Sequence, residues 1–239
     1  MTSSAILLLN RASGAPVPPF LRGALGPADP FAAGRELAWS IPVAAGGCVD
    51  FAGSVEIAAF PHTEALVVLA GALTLVADGA AALTVPAGSG AVIARGTRLR
   101  IEAAAGTRWA FYAGTAGTAL APGVTRLTAD AALSSSAAPP ADVLTGPAPQ
   151  CRSFNAFTEE AANLRAGLWD STPYARISRP HKVSELMHVL DGAVDLTGAD
   201  GKVVTVAKGD TVLVPQGTPC AWDSRVHVAK FYVVHEVAG

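Results

Sequence analysis

One spacing of residues occurs twice in the chain, and it limits the fold more than any other feature. Glu64 is followed after six residues by Gly71, and Glu185 after six residues by Gly192. Behind each Gly come a run of β-prone residues, a short polar turn (Asp78–Ala80 and Ala199–Lys202), a second run and a Gly-centred turn. Gly88 to Gly96 spans eight residues, and so does Gly209 to Gly217. Trp39–Pro42 and Trp169–Pro173 precede the two sets. A repeat of this length makes two domains of one design out of 239 residues that would otherwise suit one large domain.

The runs between the turns are short and rich in Val, Leu, Ile and Thr, as in Ala65–Asp78, Gly90–Ala103, Glu185–Gly198, Asp210–Gly217 and Val226–Val237. Short runs punctuated by Gly and Pro indicate an all-β sandwich or barrel. Helical periodicity is nearly absent. Thr158–Gly167 is the best helical segment, with Thr158 as N-cap, acids in the first turn and Gly at the end, and it predicts one or two turns. Thr115–Pro149, rich in Ala, Ser, Pro and Gly, reads as a connection. The expected division is an N-terminal arm over 1–35, a first barrel over 36–114, a linker over 115–150 and a second barrel over 151–239.

Hydrophobic residues make up 51% of the chain and charged residues 15%, enough for a sizeable core. A net charge of −2 without any basic run argues against nucleic acid or an anionic membrane as partner. Three widely spaced cysteines, Cys48, Cys151 and Cys220, do not form a disulfide framework. The apolar run Ala5–Leu9 has no Lys or Arg before it and is too short for a signal peptide or a membrane span. The expectation is a soluble, cytoplasmic protein. The apolar arm Ser4–Asn10 reads as a strand added to a sheet edge, in its own chain or a partner's, and uncovered sheet edges and apolar outer faces point to a homodimer.

At the repeated residues the chain resembles the cupins, double-sheet β-barrels of the jelly-roll (RmlC-like) type. His181-x3-Glu185-x6-Gly192 fits the first cupin motif, and Gly209-x5-Pro215-x-Gly217-x2-Cys220 keeps the spacing of the second. Gly167–Ile177, Gly201–Trp222 and Val228–Val234 look more closely like the (S)-ureidoglycine aminohydrolase-like cupins, a group that also contains ethanolamine-utilisation cupins. The resemblance is good over Ala166–Val234 and faint over Glu36–Tyr112, where the second motif has become Gly88-x5-Ala94-x-Gly96-x2-Leu99. It implies an all-β bicupin: two tandem barrels with very little helix.

The resemblance also places the family's metal ligands on Arg179, His181, Glu185 and Cys220. Three of these, His181, Glu185 and Cys220, are able to ligate one divalent metal, and the mixed set suits Zn or Fe better than Mn. In the N-terminal barrel Phe60 and Leu99 stand at two ligand positions, which implies an apolar interior without a metal; His62 shares a face with Glu64. If the second barrel is catalytic, the resemblance implies metal-assisted hydrolysis of a carbon–nitrogen bond.

Arg179 opens a different reading. Strand alternation puts it on the face of His181. A guanidinium stays charged and cannot ligate, but it forms bidentate pairs with carboxylates. Arg179 would then supply the positive charge of an absent metal, pairing with Glu185 or with a bound carboxylate. The substrate-binding candidates are Arg179, His181, Glu185, Trp222, Lys230 and Tyr232. Lys230 is an isolated cation in an apolar strand, whose burial demands a partner. His188, three residues after Glu185, should point away from the interior. The expected function is binding of a small polar, carboxylate-bearing metabolite in the second barrel. The alternatives are a non-catalytic binding or regulatory module and, ranked lower because His181 has no evident Tyr partner, a metal-free isomerase.

Overall fold

A computed structural model describes residues 5–117 and 121–237. Helix among them is confined to two single turns of 3-10 type, Ala141–Val143 and Glu160–Ala162; the rest of the regular structure is strand. The expected helix over Thr158–Gly167 shrinks to the second of these turns. Thr158 lies instead in the strand Cys151–Glu159 and Gly167 in the strand Leu164–Ser171. Asn163 ends the turn at φ 50, a left-handed conformation that stops a helix.

The chain divides into two compact units. One takes the chain up to Val17, Thr128–Ala156 and everything from Arg165 onward; the other takes Pro18–Leu127 and Phe157–Leu164. The connection expected over 115–150 is therefore largely part of the C-terminal unit, where Ser134–Ser136 pairs with Cys151–Ser153 at one sheet edge. Of the N-terminal arm expected over 1–35, the described part up to Val17 also belongs there, and the part from Pro18 belongs to the other unit. Leu7–Asn10 adds antiparallel to Thr211–Val214, so the arm covers a sheet edge of its own chain; Ser4 lies outside the described residues. Asp210, next to the second-motif Gly209, fixes it: Arg11 Nη1 donates to Asp210 Oδ2 at 2.7 Å and the Ala12 amide to Oδ1 at 2.8 Å.

In the C-terminal unit a seven-stranded sheet runs in the order Leu7–Asn10, Thr211–Val214, Ser184–Asp191, Val228–His235, Leu164–Ser171, Cys151–Glu159, Ser134–Ser136. A four-stranded sheet runs Tyr174–Pro180, Pro219–Ser224, Ala193–Thr197, Val203–Ala207. Alternate residues of these strands are buried, as in Ala193–Thr197 and Pro219–Ser224, so each sheet turns one apolar face inward. Met187, Val189, Val212 and Val214 of one sheet meet Val194, Leu196, Val206 and Trp222 of the other in a single core. This is the jelly-roll sandwich that the cupin resemblance implies.

The N-terminal unit repeats the plan with continuous strands. Leu99–Gly114 bends through both faces: Leu99–Ala103 pairs with Ala72–Ala77, and Arg108–Gly114 with Thr63–Ala70. Val124–Leu127 covers the edge strand Gly90–Ile93 as the N-terminal arm covers Thr211–Val214. The repeated glycines have one cause. Gly71 and Gly192 both sit at positive φ, 71 and 75, and a Cβ on Gly192 would stand 1.9 Å from the His227 carbonyl oxygen. No other residue fits that turn.

His188 points away from the barrel interior, as strand alternation requires, and is buried there. Its Nδ1 lies 2.8 Å from Thr211 Oγ1, and its ring stacks on Phe231. Burial lowers its pKa to about 4, against the pull of Asp210. A histidine whose folded pKa is lowered stabilises the fold above its unfolded value and loses that contribution as pH falls. Stability should therefore decline from about pH 6.5 towards 4. Urea denaturation of His188→Gln should show a flatter dependence across that window than the wild type, and parallel curves would remove His188 from the account.

Candidate functional site

The C-terminal unit carries an open cavity of about 440 Å³. The strands Tyr174–Pro180, Ser184–Asp191 and Val228–His235 set its charged lining, and Ser136–Pro140 forms one wall. Arg179, His181, Glu185, Lys230 and Tyr232 all line it. Trp222 does not; it lies beneath, with Lys230 Nζ 5.0 Å from its ring centroid and 4.7 Å from that of Trp169. These two rings and Met187 Sδ, at 3.0 Å, form the seat of the ammonium.

Glu185 pairs with Lys230, not with Arg179. Lys230 Nζ donates to Glu185 Oε1 at 2.8 Å, and both side chains are largely buried. Burial by itself would raise the Glu185 pKa; Lys230, His181 and Arg176 outweigh it and hold the carboxyl below its usual range. The sequence placed Arg179 in this role by simple alternation. The strand Tyr174–Pro180 carries a bulge between Arg176 and Arg179, which resets the alternation. Arg176, which the sequence reading did not single out, is the deeper guanidinium. It donates to the Cys220 carbonyl at 2.7 Å. Its one sequence signal was a lone Arg in the otherwise apolar Tyr174–Ile177.

His181 follows the strand end and is held by backbone bonds to both sides of the second-motif turn: its N–H donates to Thr218 and its carbonyl accepts from Gly217. Its Nδ1 lies 2.8 Å from the Val183 carbonyl, which only accepts, so Nδ1 carries the ring proton. Nε2 faces Glu185 Oε2 at 3.4 Å. Burial pushes the imidazole pKa below its usual value, with Arg176 and Lys230 adding to the effect and Glu185 opposing it. Tyr174 and Tyr232 line the same cavity as His181. Tyr232 donates to Asn155 Oδ1, and Tyr174 stacks on Trp222.

Cys220 is not brought into this set. It is packed in the apolar core with Met187 and Val214, does not line the cavity, and its Sγ lies 3.3 Å from the Ala221 carbonyl. Burial raises its thiol pKa. Among the described residues no three His, Cys, Asp or Glu side chains are grouped to hold a metal ion. The expected ligand set of His181, Glu185 and Cys220 is therefore not assembled. Two donors remain, and an ammonium already neutralises one of them.

The corresponding glutamate of the N-terminal unit shows the same substitution in a closed form. Phe60 and Leu99 are core residues, as expected, yet the interior is not apolar. Arg35 donates in bidentate fashion to Asp29, at 2.7 and 3.0 Å, and to Glu64 Oε2 at 2.9 Å. His62 Nε2 lies 2.8 Å from the same oxygen, and Trp109 Nε1 donates to Oε1 at 3.3 Å. The guanidinium lies over the Phe111 ring at 4.2 Å. Burial opposes ionisation of Glu64, but Arg35 and His62 hold its pKa down to about 2.

Two facing sheets, a jelly-roll strand order and a polar cavity between them define a cupin. The EutQ-like cupin domain matches residues 158–232. A protein of unknown function from Pseudomonas syringae pv. tomato str. DC3000, of the DUF861 family, is 44% identical over 96% of this chain and 99% of its own, with a TM-score of 0.93. The chain belongs to that family. Two further solved structures share the fold at 14% identity: a putative glyoxylate-induced protein from Pseudomonas aeruginosa (TM-score 0.56, 84% of this chain and 77% of its own) and Ylba from E. coli, also DUF861 (TM-score 0.52, 82% and 80%). No protein of curated function matches the sequence. Among the described residues no helix is long and apolar enough to cross a membrane.

Proposed function

We propose that the C-terminal barrel binds a small carboxylate-bearing metabolite. The observation that carries this reading is the charge of the cavity. Arg165, Arg176, Arg179, Lys182 and Lys230 line it, against one carboxylate, Glu185. Glu185 is already engaged by Lys230, so Arg165, Arg179 and Lys182 meet no carboxylate of the cavity's own among the described residues. Arg179 is half-buried, and Arg165 and Lys182 are exposed; unmatched cations gathered around one cavity favour an anion, and Arg favours one that accepts two parallel hydrogen bonds. The cavity's size suits a small metabolite, which would also have Tyr232 and Trp169 beside it.

The donor set does not fit a divalent metal, so carbon–nitrogen hydrolysis through one does not enter the proposal. Lys230 provides the positive charge at Glu185 that a metal would otherwise bring.

Calorimetric titration with succinate and with its neutral diamide tests the reading. The dianion should bind and the diamide should not, and raising the ionic strength should weaken the dianion's binding. Arg179→Gln should weaken it about tenfold or more, at about 1.4 kcal/mol per decade. Equal binding of the two probes would sink the proposal, and so would binding of neither.

A further inference from the structure

Beside its cations the cavity has a wall of a different kind. Ser134–Ser136 pairs antiparallel with Cys151, Arg152 and Ser153 at the edge of the seven-stranded sheet. Further along the chain, Leu144 bridges to Arg176 and the Thr145 N–H donates to the Ala175 carbonyl at 3.0 Å. Both partners lie on Tyr174–Pro180, the edge strand of the four-stranded sheet. The segment between these anchors is therefore a strap from one sheet to the other. Val143, which is buried in the turn Ala141–Val143, holds its far end a third time. Ala137, Ala138, Pro139 and Pro140 of the strap line the cavity, and Ala138 and Pro139 are half-buried. None of the four has a polar side chain, and the two prolines have a fixed φ and no N–H. The wall is pre-formed by its backbone anchors and has little to offer a polar group.

Building on the carboxylate reading above, we propose that the ligand is an amphiphilic acid, whose carboxylate meets the cations of the lining while an apolar body packs against Ala138 and Pro139 of the strap. A ligand polar on all sides would lose water along this wall with no hydrogen bond in return. A hydrocarbon group gains there, in proportion to the apolar surface it removes from water. The cavity has room for such a group beside a carboxylate: its volume of about 440 Å³ falls among sites of about 300–1,000 Å³ that hold ligands well above four carbons. The two parts of the lining divide the work of recognition. The cations accept any small carboxylate, and the strap ranks those acids by the apolar surface they bring.

The test is a calorimetric ranking of three probes on the intact wild-type protein: succinate, phenylsuccinate and the neutral diamide of phenylsuccinate. Phenylsuccinate should bind about tenfold or more tighter than succinate, as the burial of an aromatic ring allows, and the diamide should not bind. In the wild-type complex, nuclear Overhauser contacts should join the phenyl protons to Ala138 and Pro139. Pro139→Ser should narrow the phenylsuccinate-to-succinate ratio about threefold or more; should that variant not fold, the Overhauser contacts locate the ring on their own. Phenylsuccinate equal to or weaker than succinate would overturn the apolar body and leave the carboxylate reading intact. Overhauser contacts that miss the strap, or an undiminished ratio in folded Pro139→Ser, would overturn the strap as its seat. Diamide binding as tight as that of phenylsuccinate, or binding of none of the three, would overturn the carboxylate reading, and this inference with it.

Discussion

Replacing Arg35 by methionine should destabilise the protein by about 3–5 kcal/mol, the cost of breaking a buried ion network from one side. Asp29, Glu64 and Arg35 side chains are all fully buried, and among the described residues Arg35 is the only Arg or Lys paired with either acid. Methionine fills much of the same space, so the loss comes from two buried carboxylates without their cation: Glu64 keeps His62 and Trp109, and Asp29 keeps the backbone N–H groups of Leu25 and Phe31. The wild type should also show an acid limb. The Glu64 pKa is depressed, so its stabilising contribution is present above the usual carboxylate value and is lost as pH falls from about 4.5 towards about 2. In Arg35→Met that limb should disappear or reverse, because protonation then relieves the fold. Urea denaturation across pH 3–8 measures both effects. A variant within about 0.5 kcal/mol of wild type, the usual range of a surface change, would show that the network adds nothing.

The comparison of the two glutamates also shows what the sequence can carry. The Glu–Gly spacing and the paired glycine turns were legible because each has a local cause: positive φ and backbone crowding at Gly71 and Gly192 admit only one residue type. Lys230 was legible as an anomaly, a cation in an apolar strand. Its partner was not, since strand pairing between Ser184–Asp191 and Val228–His235 brings Lys230 to Glu185 across 45 residues. Arg35 was missed for the same reason: it lies 29 residues before Glu64 and in no motif. Arg179 lines the cavity as expected, but Glu185 is held by Lys230 and not by Arg179. Cys220 was misplaced because motif spacing gives a position on a strand, whereas core packing decides whether a thiol lines the cavity. Of the expected short helix one turn, Glu160–Ala162, is present; its bounds were too wide because acids and a cap residue occur equally in a strand that ends in one tight turn.

The second large effect falls on Lys230. Lys230→Met keeps most of the apolar stem that packs on Trp169 and Trp222 but removes the charge that neutralises Glu185. At neutral pH the variant should lose about 3 kcal/mol, since an uncompensated carboxylate stays in a largely buried site. The pH dependence identifies the cause. In the wild type Glu185 is held below its usual pKa, so its contribution is present above the normal carboxylate range and fades as pH falls. Without Lys230, burial prevails and ionised Glu185 becomes a cost, so the gap between variant and wild type should narrow as the solution is acidified. Adding Glu185→Met to Lys230→Met should recover most of the lost stability, because removing both members of a buried pair is far less costly than removing one. Lys230→Met as stable as wild type at pH 7, or a double variant no better than the single one, would mean that Lys230 does not stand in for a metal at Glu185, and its place over the two indole rings would then be its only role.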